Sequence, residues 1–159
     1  MVALYLVQHG VSLPKEADPR RGLSPEGIAE VRRIAEVAKG YGVRVKRICH
    51  SGKTRAQQTA DIMADFLSPT RGVEAVEGLG PMDDPGAWVS FIDNRDDLMV
   101  VGHLPFLERL TALLVTGRMD KPVFRFQNGG IVCLTDDPDK GGWVVAWTLM
   151  PRIGATAPA

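Results

Sequence analysis

The chain has 159 residues, 45% of them hydrophobic and 24% charged, the proportions of a globular domain with enough apolar material for a core. Lys plus Arg equals Asp plus Glu at 19 each, so no charge excess directs it to nucleic acid or to a membrane surface, although a local basic cluster can still hold a small anion. Two cysteines, both in apolar runs, exclude a disulfide framework and are expected to be reduced and buried, which suits a cytoplasmic protein.

The opening "MVALYLVQHG" has no basic leader and its apolar run stops at Gln8, so it reads as neither signal peptide nor membrane span. Val2 to Val7 has the length of a buried parallel strand. A polar stretch with three prolines follows, and Ser24-Pro25 starts a helix with a capping serine and a first-turn proline. Ile28, Val31, Ile34, Ala35 and Ala38 recur at helical spacing until Gly40. Val45 to Cys49 is a second strand, and helical spacing returns from Ala56 to Leu67, before Pro69. Gly72 to Val76 is a third strand, "EGLGPMDDPG" a loop, and Trp88 to Ile92 a short helix. Leu98 to Val101 is a fourth strand ending at Gly102-His103, and Pro105 opens a helix with a leucine-rich face. Ile131 to Thr135 and Trp143 to Leu149 flank "DDPDKGG" as an antiparallel hairpin.

This order, βαβαβαβα and then ββ, specifies an α/β fold in one domain: a three-layer αβα sandwich whose mostly parallel sheet ends in an antiparallel C-terminal hairpin. Ligands of such sheets bind beyond the carboxyl ends of the strands. Gln8-His9-Gly10, His50 to Arg55 and Gly102-His103 all fall at such ends, and the sheet is expected to bring them together.

The stretch "CHSGKTRAQQTA" (49–60) carries three kinds of phosphate chemistry. Gly52-Lys53-Thr54 resembles the tail of a nucleotide P-loop, but the required glycine five positions earlier is Arg47. Cys49 and Arg55 have the spacing of a thiolate phosphatase, yet the loop between them is poor in glycine and leaves His9 and His103 without a task. The third reading places Arg55 at a phosphate pocket between two histidines. A neutral imidazole attacks phosphorus to form a phosphoramidate, and a guanidinium fork matches the phosphoryl oxygens. A protonated His103 would add a further donor. His50 reads as structural or peripheral, and no two histidines have the close spacing of a zinc site, so no metal is expected.

Gln8-His9-Gly10, "SGKTRAQQT" (51–59) and Gly102-His103-Leu104-Pro105, with "DPRRGLSPEG" (18–27) and "WTLMP" (147–151), resemble the histidine phosphatase superfamily, the phosphoglycerate mutase-like fold, and within it the SixA-type phosphohistidine phosphatases. The resemblance implies His9 as the phosphorylated nucleophile, with Arg55 and His103 stabilising the transferring group and no metal or organic cofactor. It implies Ser51 and Arg21 as substrate contacts. The family arginine before the nucleophile is Gln8 here, a contact with amide donors but no charge. The glutamate that serves many members as general acid aligns with Gly78, one residue after Glu77, which leaves Asp18 as the substitute proton donor. The expected activity is hydrolysis of phosphohistidine on a phosphotransfer or phosphorelay protein, with a phosphate or sulfate anion able to occupy the site. The alternatives are a phosphate- or phosphoprotein-binding module weakened by Gln8, and a small-metabolite phosphatase.

Overall fold

The computed structural model describes residues 2–92 and 97–154. Six strands form one sheet: β1 (Ala3–Gln8), β2 (Arg47–His50), β3 (Val73–Ala75), β4 (Leu98–Gly102), β5 (Ile131–Asp137) and β6 (Gly142–Leu149). Their order across the sheet is β3-β2-β4-β1-β5-β6. The first four are mutually parallel, whereas β5 runs antiparallel to β1 and closes a hairpin with β6.

Period-two alternation sorts the β1 side chains between two cores. Tyr5 and Val7 join Met99, Val101 and Ile48 beneath α1 (Pro25–Gly40) and α2 (Thr54–Leu67). Leu4 and Leu6 join Val100, Val132 and Leu134 on the opposite face, with Trp88 of α3 (Pro85–Val89) and Phe106, Leu107 and Leu110 of α4 (Phe106–Thr116). Helices thus cover both faces of the sheet, and the αβα sandwich is the observed architecture.

Local chemistry sets the helix ends. Ser24 Oγ accepts from Gly27 N at 3.0 Å, capping α1 as Ser24-Pro25 leads one to expect. Gly27 has to be glycine, because a Cβ there would collide with the Val11 carbonyl oxygen. The α1 stop lies two residues beyond Gly40: Tyr41 is still right-handed, and Gly42 makes the turn at φ +79°. The short helix α3 starts earlier than its apolar residues indicate, because Asp84 Oδ1 accepts from Gly86 N at 2.9 Å and Pro85 fills the first turn.

No helix among the described residues is long and apolar enough to cross a membrane.

Candidate active site

β1, β2 and β4 are adjacent and parallel, so their carboxyl ends meet at one edge. His9 N donates to Gly102 O at 3.0 Å, which seats the residue after β1 beside the end of β4. The His9 and His103 rings are consequently 5.0 Å apart, centre to centre. Ser51 Oγ lies 2.6 Å from His103 Nε2, joining the end of β2 to that of β4.

Helix α2 carries the rest. Its N-cap Lys53 makes no side-chain cap bond, and its first turn contains no acid. That N-terminus points partial positive charge at the site together with Arg55. Thr59, one turn later on the same face, accepts from Gly10 N at 2.9 Å and donates to Arg55 O at 2.8 Å. Gln58 Oε1 accepts from Leu23 N at 2.7 Å, fastening the 11–23 loop to α2.

A second clamp arrives from the β5 side, where Asn128 Nδ2 donates to His9 O at 2.9 Å and Gly129 N donates to Gln8 O at 2.8 Å. Sequence reasoning passed over both residues. The only signal was Asn-Gly-Gly before a strand, which reads as an ordinary turn.

The tautomer of His9 follows from one contact. His9 Nδ1 lies 2.7 Å from the Gly10 carbonyl oxygen. A carbonyl only accepts, so Nδ1 carries the proton and Nε2 keeps its lone pair. Burial lowers the His9 pKa against the opposing effect of that hydrogen bond, and the nearby Arg55 and Arg21 lower it further. The ring is therefore neutral, as a nucleophile requires.

His103 differs from the expectation of a ready cation. Burial first, then His9, Arg55 and Lys53, push its pKa down to about 3. His103 is therefore held neutral, and a neighbouring anion would favour its charged form. His103 Nδ1, Arg55 Nε and Gln8 Oε1 are all buried without a hydrogen-bond partner among the described residues. Unpaired buried polar groups are costly, and these three residues lie at or just beyond the carboxyl ends of β1, β2 and β4. Burial and the neighbouring Arg21 also lower the Arg55 pKa, yet a guanidinium stays charged.

Arg21 stands close enough to depress both His9 and Arg55, and it holds φ +52°, a conformation uncommon for a non-glycine residue. Asp18 builds this loop. Its carboxylate accepts from Arg20 N at 3.1 Å and from Gly22 N at 2.9 Å, and those bonds hold its pKa below the usual range. A carboxylate so engaged accepts hydrogen bonds from the loop's own backbone and is a poor proton donor. Glu77 does not replace it, because it lines a depression with Arg47, Glu74 and Trp88 on the β2–β3 side. At Gly78 the backbone is left-handed, φ +86°, beside Trp88.

The thiolate alternative is not supported. Cys49 points into the core on the α3–α4 face, and burial pushes its pKa up to about 11, opposite to what a reactive thiol needs. Cys133 is likewise buried and free. His50 Nδ1 accepts from Gly52 N at 3.0 Å and shapes the turn between β2 and α2. Among the described residues, no group of three or more His, Cys, Asp or Glu side chains is placed to hold a metal ion.

The sheet, with helices on both faces and an antiparallel C-terminal hairpin, is the phosphoglycerate mutase-like fold found in solved histidine phosphatases. In sequence the chain is similar to phosphohistidine phosphatase SixA of Escherichia coli (strain K12), which is 28% identical over 154 residues, 93% of each chain. The solved structure of the protein histidine phosphatase SixA complexed with tungstate matches with a TM-score of 0.80 at 28% identity, over 94% of this chain and 97% of that one. A putative alpha-ribazole-5'-P phosphatase from Escherichia coli K-12 shares the fold at a TM-score of 0.68 and 17% identity, over 98% and 99% of the two chains. An uncharacterized protein of Picosynechococcus is 27% identical over 124 residues, 72% of this chain and 74% of its own. No family model matches the chain.

Proposed function

We propose that this protein hydrolyses phosphohistidine on a partner protein through a phosphorylated His9. The observation that carries the reading is the fixed His9 tautomer, with Nδ1–H held by Gly10 O and Nε2 free, beside His103 and Arg55. Nε2 attacks phosphorus and forms a P–N bond while the bond to the departing imidazole breaks, and that imidazole takes a proton from solvent. Water then attacks the phosphoryl group on His9, releasing phosphate and restoring the neutral ring. Arg55 binds the phosphoryl oxygens throughout, and His103 takes up a proton as the anion enters. Ser51 orients His103, and Arg21 meets the substrate from the loop side. A tetrahedral oxyanion in the similar SixA structure, tungstate, supports an oxyanion site here. Imidazole is a better leaving group than an alkoxide, so a site with no carboxyl proton donor among the described residues suits a phosphoramidate better than an alkyl phosphate.

A second reading rests on Gln8. An amide stands where a guanidinium would add charge, and a binding module with little turnover follows if that charge is indispensable. Incubation with phosphoramidate, with release of phosphate followed for the wild type and His9→Ala, separates the two. Turnover in the wild type alone supports the enzyme; binding of vanadate without turnover in either supports the module.

A further inference from the structure

A groove of about 670 Å³ lies at the other end of the sheet from His9. It opens beside Ala3, the first residue of β1, and Asp97, just before β4. Six residues of β1 separate it from the catalytic edge, about 17 Å along the strand. Nothing in the phosphatase chemistry uses it.

Its chemistry is specific. Tyr5 forms part of the wall and is only 7% exposed, and its hydroxyl has no hydrogen-bond partner among the described residues. Burial first, then Cys133 and Asp97, push the Tyr5 pKa up to about 12, so it remains a phenol that donates and accepts. Asp97 Oδ1 takes the Ala3 amide at 3.0 Å, which leaves its second oxygen for another donor. Arg44 lines the same groove, and neither it nor Asp97 forms an ion pair with the other at 4 Å or less. Trp147 stands against Tyr5 with ring centres 6.0 Å apart, and Tyr41 adds a ring that is 82% exposed.

We infer that this groove binds a zwitterionic aromatic amino acid, with its ammonium at Asp97 and the Tyr5 oxygen, its carboxylate at Arg44, and its ring against Trp147 and Tyr41. Among the described lining residues, one cation and one anion, unpaired with each other, complement a ligand carrying one charge of each sign. A nucleotide would bring several negative charges against the one arginine among the described lining residues and meet Asp97 as a like charge. An internal peptide segment brings neither charged end. Aromatic walls serve both the ammonium, through cation–π contact, and the ring. The site is independent of the reaction at His9.

The test is an NMR titration of the whole protein with L-tryptophan, paired with calorimetry. Shifts of the Trp147 indole and Leu149 methyl signals with a Kd of about 1 mM or tighter are expected. Tryptamine and indole-3-propionate, each lacking one charged end, bind about tenfold more weakly or worse, as do Tyr5→Phe and Arg44→Gln with L-tryptophan. Arg44→Gln changes an exposed side chain and leaves the unfolding midpoint in place, which keeps a loss of binding distinct from a loss of folding. The inference is overturned by an absence of shifts at the groove, by shifts at Ser51 and His103 instead, or by equal affinity for the three compounds.

Discussion

Thr59 Oγ1 accepts the Gly10 amide at 2.9 Å and donates to the Arg55 carbonyl at 2.8 Å. One buried hydroxyl thus locks the loop that carries His9 to the helix turn that carries Arg55. Thr59→Val keeps the shape and leaves a buried N–H unpaired, which costs about 1–3 kcal/mol. Urea denaturation should show that loss, together with a lower kcat. Thr59→Ser, which keeps the hydroxyl, should restore most of both.

Gln8→Arg supplies the missing charge at the end of β1. One donor to a transferring phosphoryl group is worth on the order of 10²-fold in rate, so kcat/KM for phosphoramidate is expected to rise by up to that factor. A stopped assay over a range of substrate concentrations measures it. No gain would mean that glutamine is tuned to something other than charge.

Acid should destabilise the protein through His103. Its folded pKa, about 3, lies below the ordinary value of 6.5. Between those values the unfolded chain binds the proton and the folded chain does not. The contribution to stability is therefore complete above pH 6.5 and falls as pH drops towards 3, by at most about 1.4 kcal/mol per pH unit for one group. His9 is shifted in the same direction and adds to the slope. Denaturation midpoints taken from pH 7 to pH 5 should fall less steeply in His103→Asn than in the wild type.

Anion binding reverses the same shift. A phosphate analogue beside His103 favours its imidazolium, so vanadate binding at pH 6 is expected to take up a proton. Calorimetry in two buffers of different ionisation enthalpy would report it as a buffer-dependent heat. Identical heats in both buffers would show that His103 stays neutral in the complex.

How much of this was legible in the sequence depends on the range of each interaction. The strands and helices announced themselves through short apolar runs such as Val2 to Val7 and through capping at Ser24-Pro25, because those signals are local. The meeting of Gln8-His9-Gly10, Ser51 to Arg55 and Gly102-His103 followed from one topological rule about parallel sheets. The protonation state of His103 did not, since it depends on a burial and a neighbouring ring that only the folded chain creates. Asp18 looked like a spare acid by position, and its carboxylate turned out to be engaged by the amides of Arg20 and Gly22. Asn128 was invisible because its partner is a backbone carbonyl far away in sequence, and no side-chain pattern records such a bond.

The central claim is that phosphorus passes through His9. Rapid acid-free quenching of a reaction with phosphoramidate, followed by digestion and mass spectrometry, measures it directly. The expected result is a base-stable, acid-labile phosphate on the peptide containing His9, absent from His9→Ala and undiminished in Cys49→Ser. A phosphate on Cys49, or full turnover by His9→Ala, would contradict the account.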